Sequence, residues 1–99
     1  MIKMFAKIHE IDYKRILAVC DKELIGKTFE DGKIFFHTRE KFYKDIEINE
    51  TELEKLFEEV DSANLFGNKC VGIAQKKGLI NETQTILISG VKHAQIYMI

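Results

Sequence analysis

The side chains best suited to bind a ligand in this 99-residue sequence lie in three separate segments. They combine lysine, threonine and histidine with side-chain amides and one glycine, namely Lys27, Thr28, Asn64, Gly67, Lys92, His93 and Gln95. Lysine and threonine contact phosphate oxygens, whereas side-chain amides bond base edges or small polar ligands. We predict that these residues bind a ligand, which requires the three segments to converge in the fold.

Gly26-Lys27-Thr28 resembles the end of a phosphate-binding P-loop. That motif requires a glycine five residues before Gly26, where this chain has Asp21. Without the loop glycines the backbone amides cannot wrap a phosphate, so we exclude a nucleotide hydrolase of this class. Two interpretations remain open. Either Gly26 ends a helical turn and Lys27 is solvated, or Lys27 and Thr28 contact the phosphates of an RNA backbone.

Asn64 falls in a segment, Ser62–Gly67, that we predict to be a turn between two helices. In such a turn, asparagine readily adopts a left-handed conformation or bonds its own backbone. The alternative is that Asn64 points outward beside His93 and Gln95. The three side chains would then form a polar cluster able to bond a base edge or a small ligand.

The sequence contains no complete set of catalytic residues. As a general base, His93 needs an orienting carboxylate, and as a nucleophile's partner it needs a cysteine or serine within reach. Cys20 and Cys70 lie in apolar runs, which predicts buried, reduced and unreactive thiols. Neither Ser62 nor Ser89 belongs to a GxSxG nucleophile elbow. We therefore predict no catalytic residue.

The same inspection finds no metal-binding motif. His9, His37 and His93 have no ligand spacing to each other or to the cysteines, which argues against structural zinc. The acidic segment 45–61 has no EF-hand pattern and no loop glycine. We predict neither a metal nor a cofactor.

The net charge of −1 conceals an uneven distribution. Residues 45–61 carry eight carboxylates and one lysine, so the remaining residues carry a net charge of +6. One interpretation is an ordinary solvated helix face, and the other is a basic surface that meets an anionic partner. Phe35, Tyr43 and Tyr97 are candidate stacking platforms for RNA bases, although most aromatics in a small domain are core residues. The sequence pI of 6.3 is below that of dedicated nucleic-acid binders.

Two helices and five principal strands can be predicted around these residues. The clearest helix spans Thr51–Asp61, where Thr51 and Glu54 have the spacing of a capping box. A second helix begins at Asn68 and runs to about Lys77. Strands are predicted for residues 2–8, 14–20, 33–38, 85–89 and 94–98, and a short edge strand for 45–48.

The resulting order, βββ-αα-ββ, indicates an α+β fold in a single domain spanning residues 1–99. We expect a mainly antiparallel sheet of about five strands, covered on one face by the two helices. No apolar run approaches the length needed to span a bilayer, and the N-terminus lacks a signal-peptide core. We therefore expect a cytoplasmic protein.

Four short motifs occur in a fixed order across nearly the whole chain. They are Asp21-x-x-Leu24-x-Gly26-Lys27-Thr28-Phe29, Ala63-Asn64-x-x-Gly67, Gly78-Leu79 and Gly90-Val91-x-His93-Ala94-Gln95. This set resembles the small archaeal proteins grouped as the domain-of-unknown-function 424 family. The resemblance implies an archaeal, cytoplasmic, stand-alone α+β domain. It implies no biochemical activity, because the family has no established one.

We predict a non-enzymatic binding module for RNA or for a translation-related protein assembly. The basic remainder of the chain, the polar segments and the lack of a catalytic set motivate this hypothesis. A second hypothesis is a small enzyme that uses His93 with Asn64, Gln95 or Asp21. A third is a protein–protein adaptor that uses the acidic face of the predicted helix 51–61 or an exposed sheet edge.

Overall fold

The computed structural model describes residues 1–98, which form eight strands and three α-helices. The strands are β1 (Met4–Ile11), β2 (Lys14–Asp21), β3 (Thr28–Asp31), β4 (Ile34–His37), β5 (Ile46–Ile48), β6 (Ser62–Phe66), β7 (Ile86–Ile88) and β8 (Val91–Tyr97). The helices are α1 (Glu40–Tyr43), α2 (Glu50–Phe57) and α3 (Asn68–Lys76), with 3-10 turns at Lys22–Leu24 and Glu82–Gln84.

Six of the strands form one sheet in the order β5-β1-β2-β6-β8-β7. Every neighbouring pair is antiparallel except β2 and β6, which run parallel. The predicted α+β class and mainly antiparallel sheet are therefore confirmed. Strand β2 lies near the centre and is covered on both faces, which explains its unbroken apolar run, Ile16–Cys20.

The two faces of this sheet support separate apolar clusters. Helices α2 and α3 cover one face, where Leu17 and Val19 of β2 pack with Leu53 and Phe57 of α2. The opposite face carries Ala18 and Cys20 of β2, covered by the antiparallel β3–β4 hairpin and by α1. The two predicted helices do cover one face. The prediction missed that a second, two-stranded sheet covers part of the other.

The element order βββ-αα-ββ omitted strand β3 and was wrong at Ser62–Gly67, which is not a turn between helices. Residues Ser62–Phe66 form strand β6, which pairs with β2 on one side and β8 on the other. A strand buried between two neighbours needs no polar alternation, and five residues between two helices give little periodicity to recognise. The main sheet has six strands instead of about five, because it contains β5 and β6, whereas the predicted strand 33–38 is β4 of the second sheet.

Helix α2 also begins and ends earlier than predicted. Its N-cap is Asn49, whose side chain accepts a bond from the amide of Glu52, and the Glu52 carboxylate accepts one from the amide of Asn49. The Thr51 and Glu54 capping box was wrong, since two overlapping pairs have the same spacing and asparagine caps at least as well as threonine. Among residues 1–98, no helix is long and apolar enough to cross a membrane.

Candidate functional site

A groove crosses the sheet face that the β3–β4 hairpin covers only in part. It consists of two adjoining cavities of about 300 and 450 Å³, which share His9, Phe42 and Asn64. We call the first the strand cavity, because its other polar and aromatic lining comes from β6 and β8: Ser62, Gln95 and Tyr97. We call the second the basic cavity, and its further lining is Phe36, His37, Arg39, Lys41 and Tyr43.

Strand register places the polar side chains of the strand cavity on one face. Asn64 pairs with Gln95 across β6 and β8, and Ser62 pairs with Tyr97 one step further along. Residues two apart on a strand point to the same side, so all four side chains point into the groove. The side chains of Ser62 and Gln95 make no hydrogen bonds within residues 1–98, which leaves them free for a ligand.

Asn64 is held by one side-chain hydrogen bond. The Tyr43 hydroxyl donates to Asn64 Oδ1 at 2.7 Å. Tyr43 is only 2% exposed, and burial raises its pKa far above the usual value, so its hydroxyl keeps its proton. This contact occupies the oxygen of the Asn64 amide and turns its Nδ2 group away from Tyr43. The prediction of Tyr43 as a stacking platform was wrong, because its ring lies in the core beneath the groove.

Aromatic rings bound the groove on both sides. His9 stacks on Phe42 with ring centroids 4.7 Å apart, and its Nε2 hydrogen donates to the Phe42 carbonyl at 2.8 Å. On the far side, Tyr97 is 75% exposed and lines the strand cavity. A planar ligand entering the strand cavity would therefore meet aromatic surface together with amide groups, which is how proteins hold unpaired bases.

The electrostatics of the groove favour an anion. Arg39 and Lys41 both line the basic cavity and are exposed to solvent. No aspartate or glutamate among residues 1–98 lines either cavity. Neither cation forms an ion pair within the described chain, whereas Lys3, Lys22 and Lys69 do. The positive charge at this end of the groove is therefore not neutralised by the protein.

His93 lies beside the groove and does not line either cavity. Its Nδ1 hydrogen donates to the Leu65 carbonyl at 2.9 Å, and its ring packs against Phe36 and Phe66. Burial lowers the pKa of His93, an effect opposed by the bond to Leu65, so the ring is neutral near pH 7. No carboxylate within residues 1–98 bonds this imidazole. The predicted cluster shares one sheet face, but only Asn64 and Gln95 line the groove.

Lys27 and Thr28 lie at the open end of the β3–β4 hairpin. The Lys27 amide donates to Thr38 Oγ1 at 3.0 Å, and the lysine side chain is exposed. Thr28 Oγ1 bonds His37 Nδ1 at 2.8 Å, and His37 lines the basic cavity. Thr28 is therefore linked to the groove through His37. Ligand binding by Lys27 and Thr28 stays a prediction.

Lys92 lies on the other side of the sheet. Its side chain is on the helix-covered face, where Nζ donates to Gln75 at 3.3 Å and to Glu82 at 3.1 Å. The alternation along β8 is the physical reason, because Lys92 and His93 are neighbours and must point to opposite faces. The structure therefore does not bring Lys92 together with Asn64 and Gln95.

Gly67 is adjacent to a buried carboxylate, Asp21. The two Asp21 oxygens accept from the backbone amides of Lys69 at 2.9 Å and Cys70 at 3.0 Å, so they cap helix α3. A Cβ on Gly67 would lie 2.2 Å from Asp21 Cγ, and Gly67 has φ +135°. Burial raises the pKa of Asp21, and the two amide bonds oppose that rise. Both Asp21 oxygens are thus occupied by amides of α3, which argues against the hypothesis that Asp21 is a catalytic partner of His93.

The sequence prediction that Asn68 caps this second helix was wrong. Gly67 occupies the N-cap position and the capping carboxylate comes from Asp21. The Asn68 side chain faces β8, where Oδ1 accepts from the Lys92 amide at 2.8 Å. A cap supplied from 46 residues earlier leaves no local spacing in the sequence to recognise.

Sequence reasoning missed several groove residues, including His9, Arg39, Phe42 and Ser62. A signal for His9 was present, since the alternation of the first strand places it on the face opposite Met4 and Ala6. Arg39 and Phe42 had no comparable signal, because α1 is a single short turn whose position depends on tertiary packing. The described residues contain no group of three or more histidine, cysteine or acidic side chains able to hold a metal.

Comparison with known proteins identifies the family and the fold. The profile of the family described as "Protein of unknown function (DUF424)" matches residues 9–99. The crystal structure of an uncharacterized conserved protein from Methanopyrus kandleri is similar, with a TM-score of 0.83 and 24% sequence identity. The match covers 98% of this chain and 92% of that chain, and at this identity it shows the fold alone. A comparison with curated proteins gives no match.

Proposed function

We propose that this chain, which belongs to the DUF424 family of proteins of unknown function, is a binding module that holds single-stranded RNA in the groove. The observation that carries the proposal is the composition of the groove. Two cations without an ion pair line one end, side-chain amides and aromatic rings line the other, and no carboxylate lines either among the described residues.

Each part of the groove matches a part of a nucleotide. The amides of Asn64 and Gln95 can bond a base edge, and the exposed ring of Tyr97 offers a surface on which a base can stack. Arg39 and its neighbour Lys41 can neutralise the following phosphates. A duplex would not expose its base edges to such a groove, so an unpaired strand is the better ligand.

The charge distribution also supports an anionic ligand at this face. The acidic segment 45–61 forms β5 at one sheet edge and α2, which packs on the opposite face of the sheet. The carboxylates of α2 therefore lie across the sheet from the groove, which reduces their repulsion of an approaching phosphate chain. Archaeal origin, cytoplasmic location and a translation-related protein partner stay predictions.

A salt titration with single-stranded RNA tests the proposal. Binding of a labelled mixed-sequence octamer is measured by fluorescence anisotropy between 50 and 200 mM salt. For single strands the slope of log K against log salt is about −0.7 per neutralised phosphate. Two contacts, from Arg39 and Lys41, give a slope of about −1.4, and Arg39→Gln or Lys41→Gln should each reduce its size by about 0.7.

Lys77→Gln is the matched control, because Lys77 is an exposed cation at the C-terminal end of α3, on the opposite face of the sheet. It should leave the slope unchanged. Equal weakening by Lys77→Gln and Arg39→Gln would show that RNA does not use the groove. Lys27→Gln and Lys92→Gln in the same assay test the roles predicted for those lysines from the sequence.

A further inference from the structure

The amide of Asn64 presents a defined hydrogen-bonding group to the strand cavity. The Tyr43 hydroxyl donates to Oδ1, and Tyr43 is 2% exposed. The oxygen and nitrogen of a planar amide lie on opposite edges, so fixing Oδ1 toward Tyr43 directs Nδ2 away from it. Asn64 Nδ2 makes no hydrogen bond within residues 1–98.

We propose that the strand cavity selects uracil over cytosine, through donation from Asn64 Nδ2 to the carbonyl oxygen at C4 of the base. This inference rests on the proposed function and names the base that the site prefers. An oxo group accepts from an N–H donor, whereas the amino group at the same ring position of cytosine presents a second donor. Cytosine placed in the same way would present its C4 amino group to Asn64 Nδ2, and these two donors would both stay unpaired.

The strand cavity has room for a nucleobase. Its volume of about 300 Å³ is at the lower end of the range for ligand sites. A pyrimidine in this cavity would lie beside the exposed ring of Tyr97, with its edge toward Asn64. Gln95 and Ser62 each contain both a donor and an acceptor, so they adapt to either pyrimidine and do not discriminate. Selection therefore depends on the one amide that is held.

Binding of two homopolymers distinguishes the bases. Anisotropy titrations compare labelled octauridine with octacytidine at one salt concentration. A discriminating base contact changes affinity by about tenfold, so wild-type protein should bind octauridine about tenfold more tightly. Neither oligomer forms a stable self-duplex at neutral pH, which keeps both probes single-stranded.

Two variants test the cause of the preference. Tyr43→Phe releases the Asn64 amide to rotate, so the ratio of the two affinities should fall toward one. Asn64→Asp keeps an acceptor for Tyr43 and presents a second acceptor to the cavity, which should reverse the ratio in favour of octacytidine. Gln95→Ala is the control, because it removes a groove contact without releasing Asn64, and should weaken both oligomers with the ratio kept. Circular dichroism verifies that each variant is folded.

The outcomes separate this inference from the proposed function. Salt-dependent binding with equal affinity for the two oligomers overturns uracil selection and leaves RNA binding in place. A preference for octacytidine in the wild-type protein also overturns it. A ratio that stays near ten in Tyr43→Phe shows that the fixed amide is not its cause. Failure to bind any RNA overturns the proposed function and the inference together.

Discussion

Gly67→Ala should destabilise this protein more than alanine in place of any other glycine. The new Cβ would lie 2.2 Å from Asp21 Cγ and 2.3 and 2.6 Å from its two oxygens. Asp21 is 1% exposed and cannot move into solvent without leaving the N-terminus of α3. The substitution must therefore either shift the helix or break the two amide–carboxylate bonds.

The magnitude follows from two costs. Loss of a helix N-cap costs about 1–2 kcal/mol. A non-glycine residue held at a strongly positive φ costs about 1–3 kcal/mol, and Gly67 has φ +135°. Together they give roughly 4 kcal/mol, a large part of the 5–15 kcal/mol typical of a domain. For a chain of 99 residues this corresponds to a fall in Tm of roughly 15–30 °C.

Urea unfolding followed by circular dichroism measures the effect, with the slope m checked for constancy. Gly72→Ala is the matched control, since Gly72 lies within α3, has no positive φ, and an added Cβ meets nothing within 4 Å. That control should stabilise the protein by about 0.5–1 kcal/mol, because alanine is the better helix former.

A double-mutant cycle identifies the carboxylate as the source of the clash. Once Asp21→Ala has removed it, Gly67→Ala should cost only the backbone strain. The two single effects should therefore exceed the double-variant effect by about 1–2 kcal/mol, the cap being lost only once. A Gly67→Ala loss below 1 kcal/mol, or simple additivity, would refute this account of the contact.

Three further predictions concern other parts of the chain. Burial lowers the pKa of His93 below its usual 6.5, so the folded protein favours the neutral imidazole. The stability that this neutral ring contributes is fully present above pH 6.5 and is lost as the pH falls through the pKa of His93 in the folded protein. His93→Gln should therefore show a smaller difference between urea midpoints at pH 7.5 and 5.5. Cys20 and Cys70 are free and buried, and burial raises the pKa of Cys20 to about 12, so a thiol reagent should modify neither until urea unfolds the chain. Rapid labelling in the native state would contradict this. Asn49→Ala should cost about 1 kcal/mol through loss of the α2 cap, whereas Thr51→Ala should change stability little. A larger loss of stability for Thr51→Ala than for Asn49→Ala would instead support the Thr51 and Glu54 capping box predicted from the sequence.

Local patterns in the sequence were sufficient for most of the elements. Met4, Ala6 and Ile8 alternate with polar or less buried residues, which is typical of a strand, and the predicted strand 2–8 is observed as β1. Leu53 and Phe57 recur at helical spacing in the predicted helix 51–61, and they form the buried side of α2. These predictions succeeded because strand and helix periodicities are properties of neighbouring residues.

The candidate site was predictable only in part. Asn64 and Gln95 were chosen for their amide chemistry, and β6–β8 pairing brings them together. That pairing could not be foreseen while residues 62–67 were interpreted as a turn. Lys92 was placed with its neighbour His93, although strand alternation directs the two side chains to opposite faces.

The sequence by itself therefore determined the α+β class, the two helices that cover one face of the sheet, the buried cysteines and a short list of polar residues. Only the tertiary structure decided which of those residues share a groove. It also decided that Gly67 lies against the buried Asp21 carboxylate, where a larger residue has no room. The physical reason is the distance along the chain that each deciding contact spans. Asp21 reaches amides 48 and 49 residues away, and Tyr43 fixes an amide 21 residues away. No local periodicity encodes contacts of that range.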